Sequence, residues 1–110
     1  MTPLLVALGA AVGAALRYWL AERLDGEGFP WGIWLTNVLG STLLGLLVGA
    51  GTDGRALTLL GVGFCGAFTT FSTFAVQSVG LGTRRGTVYA LATLIGSLAG
   101  CALGYAVAQA

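Results

Sequence analysis

Charged residues are so few in this chain, and so unevenly placed, that they restrict the folds it can adopt. Of its 110 residues, 8% are charged and 56% are apolar, and neither Lys nor His occurs. A soluble domain carries about 25% charged residues to keep its surface hydrated. Three stretches, 28–52, 56–83 and 86–110, hold no charge, and each is longer than the roughly 20 residues with which a helix crosses a bilayer. The sequence therefore predicts an all-α membrane protein.

We predict a single domain, residues 1–110, of four transmembrane helices at 3–24, 31–50, 56–80 and 87–108. The connectors 25–28, 51–55 and 81–86 contain Gly, Asp and Arg, which are typical of turns in water. No Lys or Arg precedes Arg17, so the basic region of a signal peptide is missing, and we interpret the first segment as a span. Cys65 and Cys101 fall within spans, where we expect them to act as small apolar side chains.

The distribution of Arg gives only a small preference for one orientation in the membrane. The side with the first and third connectors carries Arg23, Arg84 and Arg85, whereas the other side carries Arg55. The positive-inside rule counts such residues, and a difference of two is small. We therefore expect dual topology, in which copies of the chain insert in both orientations.

Small residues recur at intervals of four in three of the predicted helices. They are Gly9 and Gly13 in the first, Gly45 and Gly49 in the second, and Ala92, Gly96, Gly100 and Gly104 in the fourth. Helices in lipid associate through such close contacts, since burial of apolar surface does not drive them together. Four thin helices enclose little volume, so a pathway would need a second copy, and we predict a homodimer.

Asn37 is a polar side chain one turn into the second span, and Ser41 lies on the same helical face. An unpaired amide in hydrocarbon is costly. Asn37 either makes a hydrogen bond between helices or offers its N–H donors to a pathway.

The third span combines weak helix formers with clustered hydroxyls. Three glycines lie between Gly61 and Gly66, and four Ser or Thr residues follow between Thr69 and Thr73. This pattern predicts a break in the helix, which a membrane tolerates only where the backbone is buried or faces a polar cavity. Freed carbonyls suit a cation such as Na⁺, and freed N–H groups and hydroxyls suit an anion. The alternative is a flexible packing helix whose hydroxyls bond to their own backbone.

Two aromatic residues and one Arg complete the candidate site residues. Phe71 and Phe74 share a helical face, and the positive edges of their rings could stabilise a small anion, although core or lipid-facing positions would also account for them. Arg17 lies about 10 Å from the end of its helix, close to the reach of a snorkelling Arg. We expect it to anchor that end and to add positive potential at a vestibule.

The whole chain resembles the small bacterial fluoride channels called Fluc or CrcB. The resemblance rests on GAALRY at 13–18, TNVLG at 36–40 and, most specifically, GFCGAFTTFSTF at 63–74. Ala67 departs from the family pattern, because many members have a second Gly there.

The resemblance implies an antiparallel homodimer in the cell membrane, with two pores that export fluoride passively. It assigns Phe71 and Phe74 to an aromatic box, Asn37 to a pore-lining amide, and Ser72 and Thr73 to a polar track. It also implies a central structural Na⁺, held by backbone carbonyls of Gly66 and Thr69 from both subunits.

Three other classes of function fit less well. A small multidrug exporter needs an acidic side chain deep in its first helix, but the first carboxylate here, Glu22, lies near the end of that helix. A non-transporting assembly subunit would show no ion flux. An enzyme is disfavoured because no nucleophile–base pair or metal-ligand cluster is recognisable, and a net charge of +1 offers no field for nucleic acid.

Overall fold

The computed structural model describes residues 2–25 and 28–110, and the backbone is almost entirely helical. Four helical stretches are long and apolar enough to cross a membrane: Thr2–Leu24, Trp31–Gly49, Gly54–Gly80 and Gly82–Gln109. The prediction of an all-helical chain with four spans is confirmed. The first two stretches are continuous helices, named α1 and α2 here.

The third span is divided into several helical pieces. These are α3 (Gly54–Ala56), a π-helical segment (Leu57–Cys65), α4 (Gly66–Phe68) and α5 (Phe71–Gly80). Between α4 and α5 the chain leaves the helical conformation for two residues. The predicted break in the third span is therefore present, and it follows the π-helical segment and α4.

The fourth span, α6 (Gly82–Gln109), begins earlier than the sequence predicts. Gly82 has a φ of +85°, a conformation that favours glycine, and it lies at the turn between α5 and α6. The prediction of a connector over 81–86 was wrong, because Arg84 and Arg85 lie in the first turn of α6 with exposed side chains. Of the predicted connector 25–28, residues 26 and 27 lie outside the described part of the chain.

Glycines bring α2 and α6 into backbone contact, and this is the main helix pair of the fold. A Cβ on Gly45 would overlap the carbonyl oxygen of Cys101, and one on Gly49 would lie 2.6 Å from the carbonyl oxygen of Tyr105. From the other side, Gly96, Gly100 and Gly104 lie against the α2 residues Val38, Thr42 and Leu46. The two helices can approach this closely only because these positions lack side chains.

The helix α1 packs on the π-helical segment and α4 in the same manner. A Cβ on Gly9 would lie 2.8 Å from the backbone nitrogen of Phe64, and one on Gly63 would lie 2.8 Å from the carbonyl oxygen of Val6. The first half of the third span is thus held against α1, whereas α5 packs mainly against α6. The break lies between these two groups of contacts.

Candidate functional site

The break in the third span consists of two threonines in extended conformation. Thr69 has φ and ψ of −83° and 158°, and Thr70 has −151° and 127°. Thr70 then caps α5, because its Oγ1 accepts a hydrogen bond from the backbone N–H of Thr73 at 3.3 Å. A hydroxyl of the predicted cluster is therefore what restarts the helix.

Asn37 of α2 holds the break in place through two hydrogen bonds to one residue. Its Oδ1 accepts from the backbone N–H of Thr70 at 2.8 Å, and its Nδ2 donates to the carbonyl oxygen of Thr70 at 3.2 Å. Both residues are buried. The amide thus takes the place of the helical hydrogen bonds that Thr70 has lost.

This arrangement releases two backbone carbonyls. In a continuous α-helix, the N–H of Thr70 would donate to the oxygen of Gly66, and the N–H of Thr73 would donate to the oxygen of Thr69. Here these N–H groups donate instead to Asn37 Oδ1 and to Thr70 Oγ1. The carbonyls of Gly66 and Thr69 are therefore available to a ligand, and such oxygens are the donors that a hard cation prefers.

A cavity of about 370 Å³ lies beside the break. Its lining combines polar groups from α2, the third span and α6 with two aromatic rings and several small or aliphatic residues. The polar and aromatic members are Asn37, Ser41, Thr69, Thr70, Thr93, Ser97, Phe71 and Phe74. A cavity with this lining offers hydroxyl and amide donors within a membrane-spanning bundle.

The two phenylalanines lie side by side at this cavity. The centroids of the Phe71 and Phe74 rings are 6.0 Å apart, with 51° between their planes. Phe71 is 79% exposed, whereas Phe74 is half-buried and its ring lies 5.3 Å from that of Tyr89. Tilted rings can present their positive edges to an anion.

The structure brings together most of the residues that the sequence singles out. Asn37, Gly66, Thr69, Phe71 and Phe74 all line the cavity. Three further candidates lie outside its lining in the described part of the chain. They are Ser72, Thr73 and Arg17. Ser72 is exposed, and its Oγ lies 3.5 Å from Thr70 Oγ1, whereas Arg17 is half-buried on α1.

The fourth span also contributes to this site, which the sequence did not predict. Thr93 and Ser97 of α6 line the same cavity as the break, and Tyr89 lies one turn before them against Phe74. The spacing of four between these hydroxyl-bearing residues in an otherwise apolar helix is the available signal. It is a weak signal, because Ser and Thr commonly bond to their own helix, as Thr93 Oγ1 does by donating to the carbonyl of Tyr89 at 2.8 Å.

Comparison with known proteins identifies relatives over nearly the whole chain. The family described as CrcB-like protein, Camphor Resistance (CrcB), matches residues 4–107. A protein of Rhodococcus jostii (strain RHA1) named Fluoride-specific ion channel FluC 2 is 47% identical over 110 residues, which cover 96% of each chain.

Relatives from other organisms carry related names. Fluoride-specific ion channel FluC 2 of Haloarcula marismortui is 46% identical, over 90% of this chain and 82% of its own. Fluoride-specific ion channel FluC 1 of Thermobifida fusca is 43% identical, over 90% of this chain and 85% of its own. With four spanning helices, the chain is a multi-pass membrane protein. The resemblance seen in the sequence is confirmed, and the chain belongs to the CrcB-like protein family.

Proposed function

We propose that this chain is a fluoride-specific ion channel that conducts passively across the cell membrane and so lowers cytoplasmic fluoride. The relatives that it matches over most of their length bear the name of such a channel. The observation that carries the proposal is the break at Thr69 and Thr70, which Asn37 holds open beside a cavity lined by hydroxyls and two phenylalanines.

Fluoride is a small and strongly hydrated anion, so a pore must replace its water with several donors at once. Asn37 has a second N–H on Nδ2 beyond the one that binds Thr70, and the hydroxyls of Ser41 and Ser97 line the same cavity. The edges of Phe71 and Phe74 add positive potential without a fixed charge. Ser72 and Thr73, in the first turn of α5, would extend the row of donors beyond the cavity. A larger halide would fit these donors too poorly to recover its cost of desolvation.

The functional unit that we propose is an antiparallel homodimer of chains inserted in both orientations. Two features of the single chain support a partner. A Cβ on Gly66 would have no neighbouring atom within 4 Å, and the Phe71 ring, beside the cavity, is largely exposed. A second copy would cover both, and the small difference in Arg count between the two membrane sides is compatible with either orientation.

A structural Na⁺ at the centre of this dimer fits the donor set at the break. The free carbonyls of Gly66 and Thr69 would be joined by the same pair from the second copy, which gives four oxygens around the symmetry axis. When bound, the ion would neutralise these four partial negative charges and fix the two breaks against each other.

The experiment is fluoride efflux from liposomes that contain the purified protein, followed with a fluoride electrode and compared with chloride efflux. We expect fast fluoride efflux without an added energy source, and little chloride efflux. Protein-dependent fluoride efflux no greater than that of empty liposomes would refute the proposal and favour a non-transporting membrane subunit.

A further inference from the structure

Asp25, just beyond α1, makes hydrogen bonds that reach into the second and third spans. Its Oδ1 accepts from the backbone N–H of Gly32 at 2.7 Å and of Ile33 at 3.3 Å, so it caps the start of α2 from seven residues away. Its Oδ2 accepts from Nε2 of Gln77, on α5, at 3.0 Å. One half-buried carboxylate thus fixes α2 and α5 relative to each other.

The hydrogen bonds continue from Gln77 to α6 with a defined direction. Tyr89 donates its hydroxyl proton to Gln77 Oε1 at 2.9 Å. A carboxylate only accepts, so the Gln77 amide must turn its NH₂ group to Asp25 and its oxygen to Tyr89. Asp25 therefore determines which way the Gln77 amide points, and with it the direction of the Tyr89 O–H group.

Tyr89 connects this chain of hydrogen bonds to the wall of the cavity. Its side chain is 0% exposed, and its ring lies 5.3 Å from Phe74 and 5.2 Å, edge-on, from Phe29. Phe74 lines the cavity. A shift of the Tyr89 ring would therefore move a residue to which we assign contact with the ion.

We propose that Asp25 is a positioning residue for the ion pathway, which holds Phe74 in place through Gln77 and Tyr89. This inference rests on the proposed function, since it concerns the same cavity. It assigns to an acidic residue a supporting role in the passage of an anion, where its charge alone would be unfavourable.

The first test is Asp25→Asn, measured by fluoride efflux from liposomes. The new amide keeps one oxygen for the N–H groups of Gly32 and Ile33, but its NH₂ group then faces the NH₂ group of Gln77. The Gln77 amide must turn over or move away, and we expect efflux to fall by about fivefold to tenfold for the loss of a charge-assisted hydrogen bond. If Asp25 acted only through its electric field, Asp25→Asn would raise efflux instead, because removal of a negative charge would speed the entry of an anion.

The decisive test exchanges the acid and the amide. Gln77→Glu alone places two carboxylates together and should also lower efflux. In the double variant Asp25→Asn and Gln77→Glu, the amide introduced at position 25 donates to the carboxylate introduced at position 77. Tyr89 still donates to that carboxylate, and the net charge equals that of the original chain. We expect the double variant to recover most of the efflux, although both single variants reduce it.

Glu22→Gln is the matched control, because it removes an exposed acid three residues earlier in the chain, on α1. We expect its efflux to be unchanged. Thermal unfolding in detergent is measured for every variant. The positioning role predicts that efflux falls in variants whose unfolding midpoint stays close to that of the original chain.

Efflux of the unmodified chain is read first, so that failure of the proposed function is separated from failure of this inference. Given an active chain, efflux of Asp25→Asn at or above the original rate would overturn the positioning role. A double variant no better than the worse single variant would also overturn it. If Asp25→Asn alone does not fold, the double variant decides the question by the same criterion.

Discussion

At the scale of single residues, the strongest constraint is the pairing of Asn37 with Thr70. A buried amide within a membrane helix is costly unless it is hydrogen-bonded, and Asn37 makes two hydrogen bonds to the backbone of one residue in another span. The same pairing prevents the N–H of Thr70 from closing the helix. A side chain on α2 therefore shapes the backbone of the third span.

We expect Asn37→Ala to abolish most fluoride efflux and to lower the free energy of unfolding by at least about 2 kcal/mol, because a buried N–H and C=O of Thr70 both lose their partner. Efflux assays and thermal unfolding in detergent measure the two effects. Gln109→Ala is the control, since it also removes an amide that donates to a backbone carbonyl, that of Gly49 at 2.7 Å, away from the cavity. Equal effects of both substitutions would contradict the role of Asn37.

Phe71→Ile should lower fluoride efflux by about threefold to tenfold, since an aromatic contact contributes about 0.5–1.5 kcal/mol beyond its area. We expect unfolding to change little, because Phe71 is mostly exposed in the single chain. Phe64→Ile is a suitable comparison, because Phe64 stacks on Phe68 in the same span and lies outside the cavity lining. Efflux unchanged by Phe71→Ile would remove this ring from the pathway.

The sequence predicts those site residues whose chemistry is unusual in a membrane helix. Asn37 stands out because an amide at such a position needs an explanation, whereas Phe71 and Phe74 are assigned to the site through the resemblance, and the structure brings all three to one cavity. Asp25 does not stand out. It caps a helix from seven residues upstream, which no local capping pattern describes.

At the scale of elements, the fold depends on positions where helices touch backbone to backbone. The contact between α2 and α6 is made of glycines on both sides. In lipid this contact has little hydrophobic driving force, so its stability depends on close packing. A Gly→Ala substitution, which adds one methyl group at the contact, therefore tests how much this packing contributes to stability.

We expect Gly45→Ala to destabilise the folded chain, because its Cβ would overlap the carbonyl oxygen of Cys101 and force α2 and α6 apart. The matched substitution is Gly80→Ala, at a helical glycine with no neighbour within 4 Å of the new Cβ. It should leave stability unchanged or raise it by about 0.5 kcal/mol. Thermal unfolding of both variants in detergent tests the prediction, and a tolerated Gly45→Ala would contradict it.

The position of the elements is predictable only in part. Weak helix formers and hydroxyls indicate that the third span breaks, but its site at Thr69 and Thr70 depends on Asn37, which is distant in sequence. The start of α6 was mispredicted because Arg84 and Arg85 are typical both of a loop and of the end of a membrane helix. The residues around the start of α6 contain no other signal that would distinguish a loop from the first turn of a helix.

At the scale of the whole molecule, a single chain presents only part of the site that we propose. Gly66 and Phe71 lie open at its surface beside the cavity. Two predictions concern the assembly that would complete it.

If Na⁺ joins the two copies, complete replacement of Na⁺ by a large organic cation should lower both the stability of the dimer and the fluoride efflux. Native mass spectrometry and efflux assays in matched buffers measure these effects. Potassium serves as the control for ionic strength. Dimers and efflux that persist in the organic cation would refute a structural role for Na⁺.

Dual topology predicts that a tag at the C-terminus lies outside the cell in some copies of the chain and inside in the others. We expect labelling by an impermeant reagent to reach about half of the chains, because the Arg difference between the two sides is small. Adding two Lys residues beside Arg55 should change this proportion. A tag found on one side only would exclude the antiparallel dimer.

A cation site whose ligands are backbone oxygens responds to substitutions in an unusual way. No substitution at Gly66 or Thr69 deletes the carbonyl at that position, so a saturation scan would not detect the proposed Na⁺ site through the loss of its ligands. The scan would instead detect it at positions 37 and 70, whose side chains keep amide protons away from those oxygens. The side chains that matter most for Na⁺ binding would thus be ones that never contact the Na⁺.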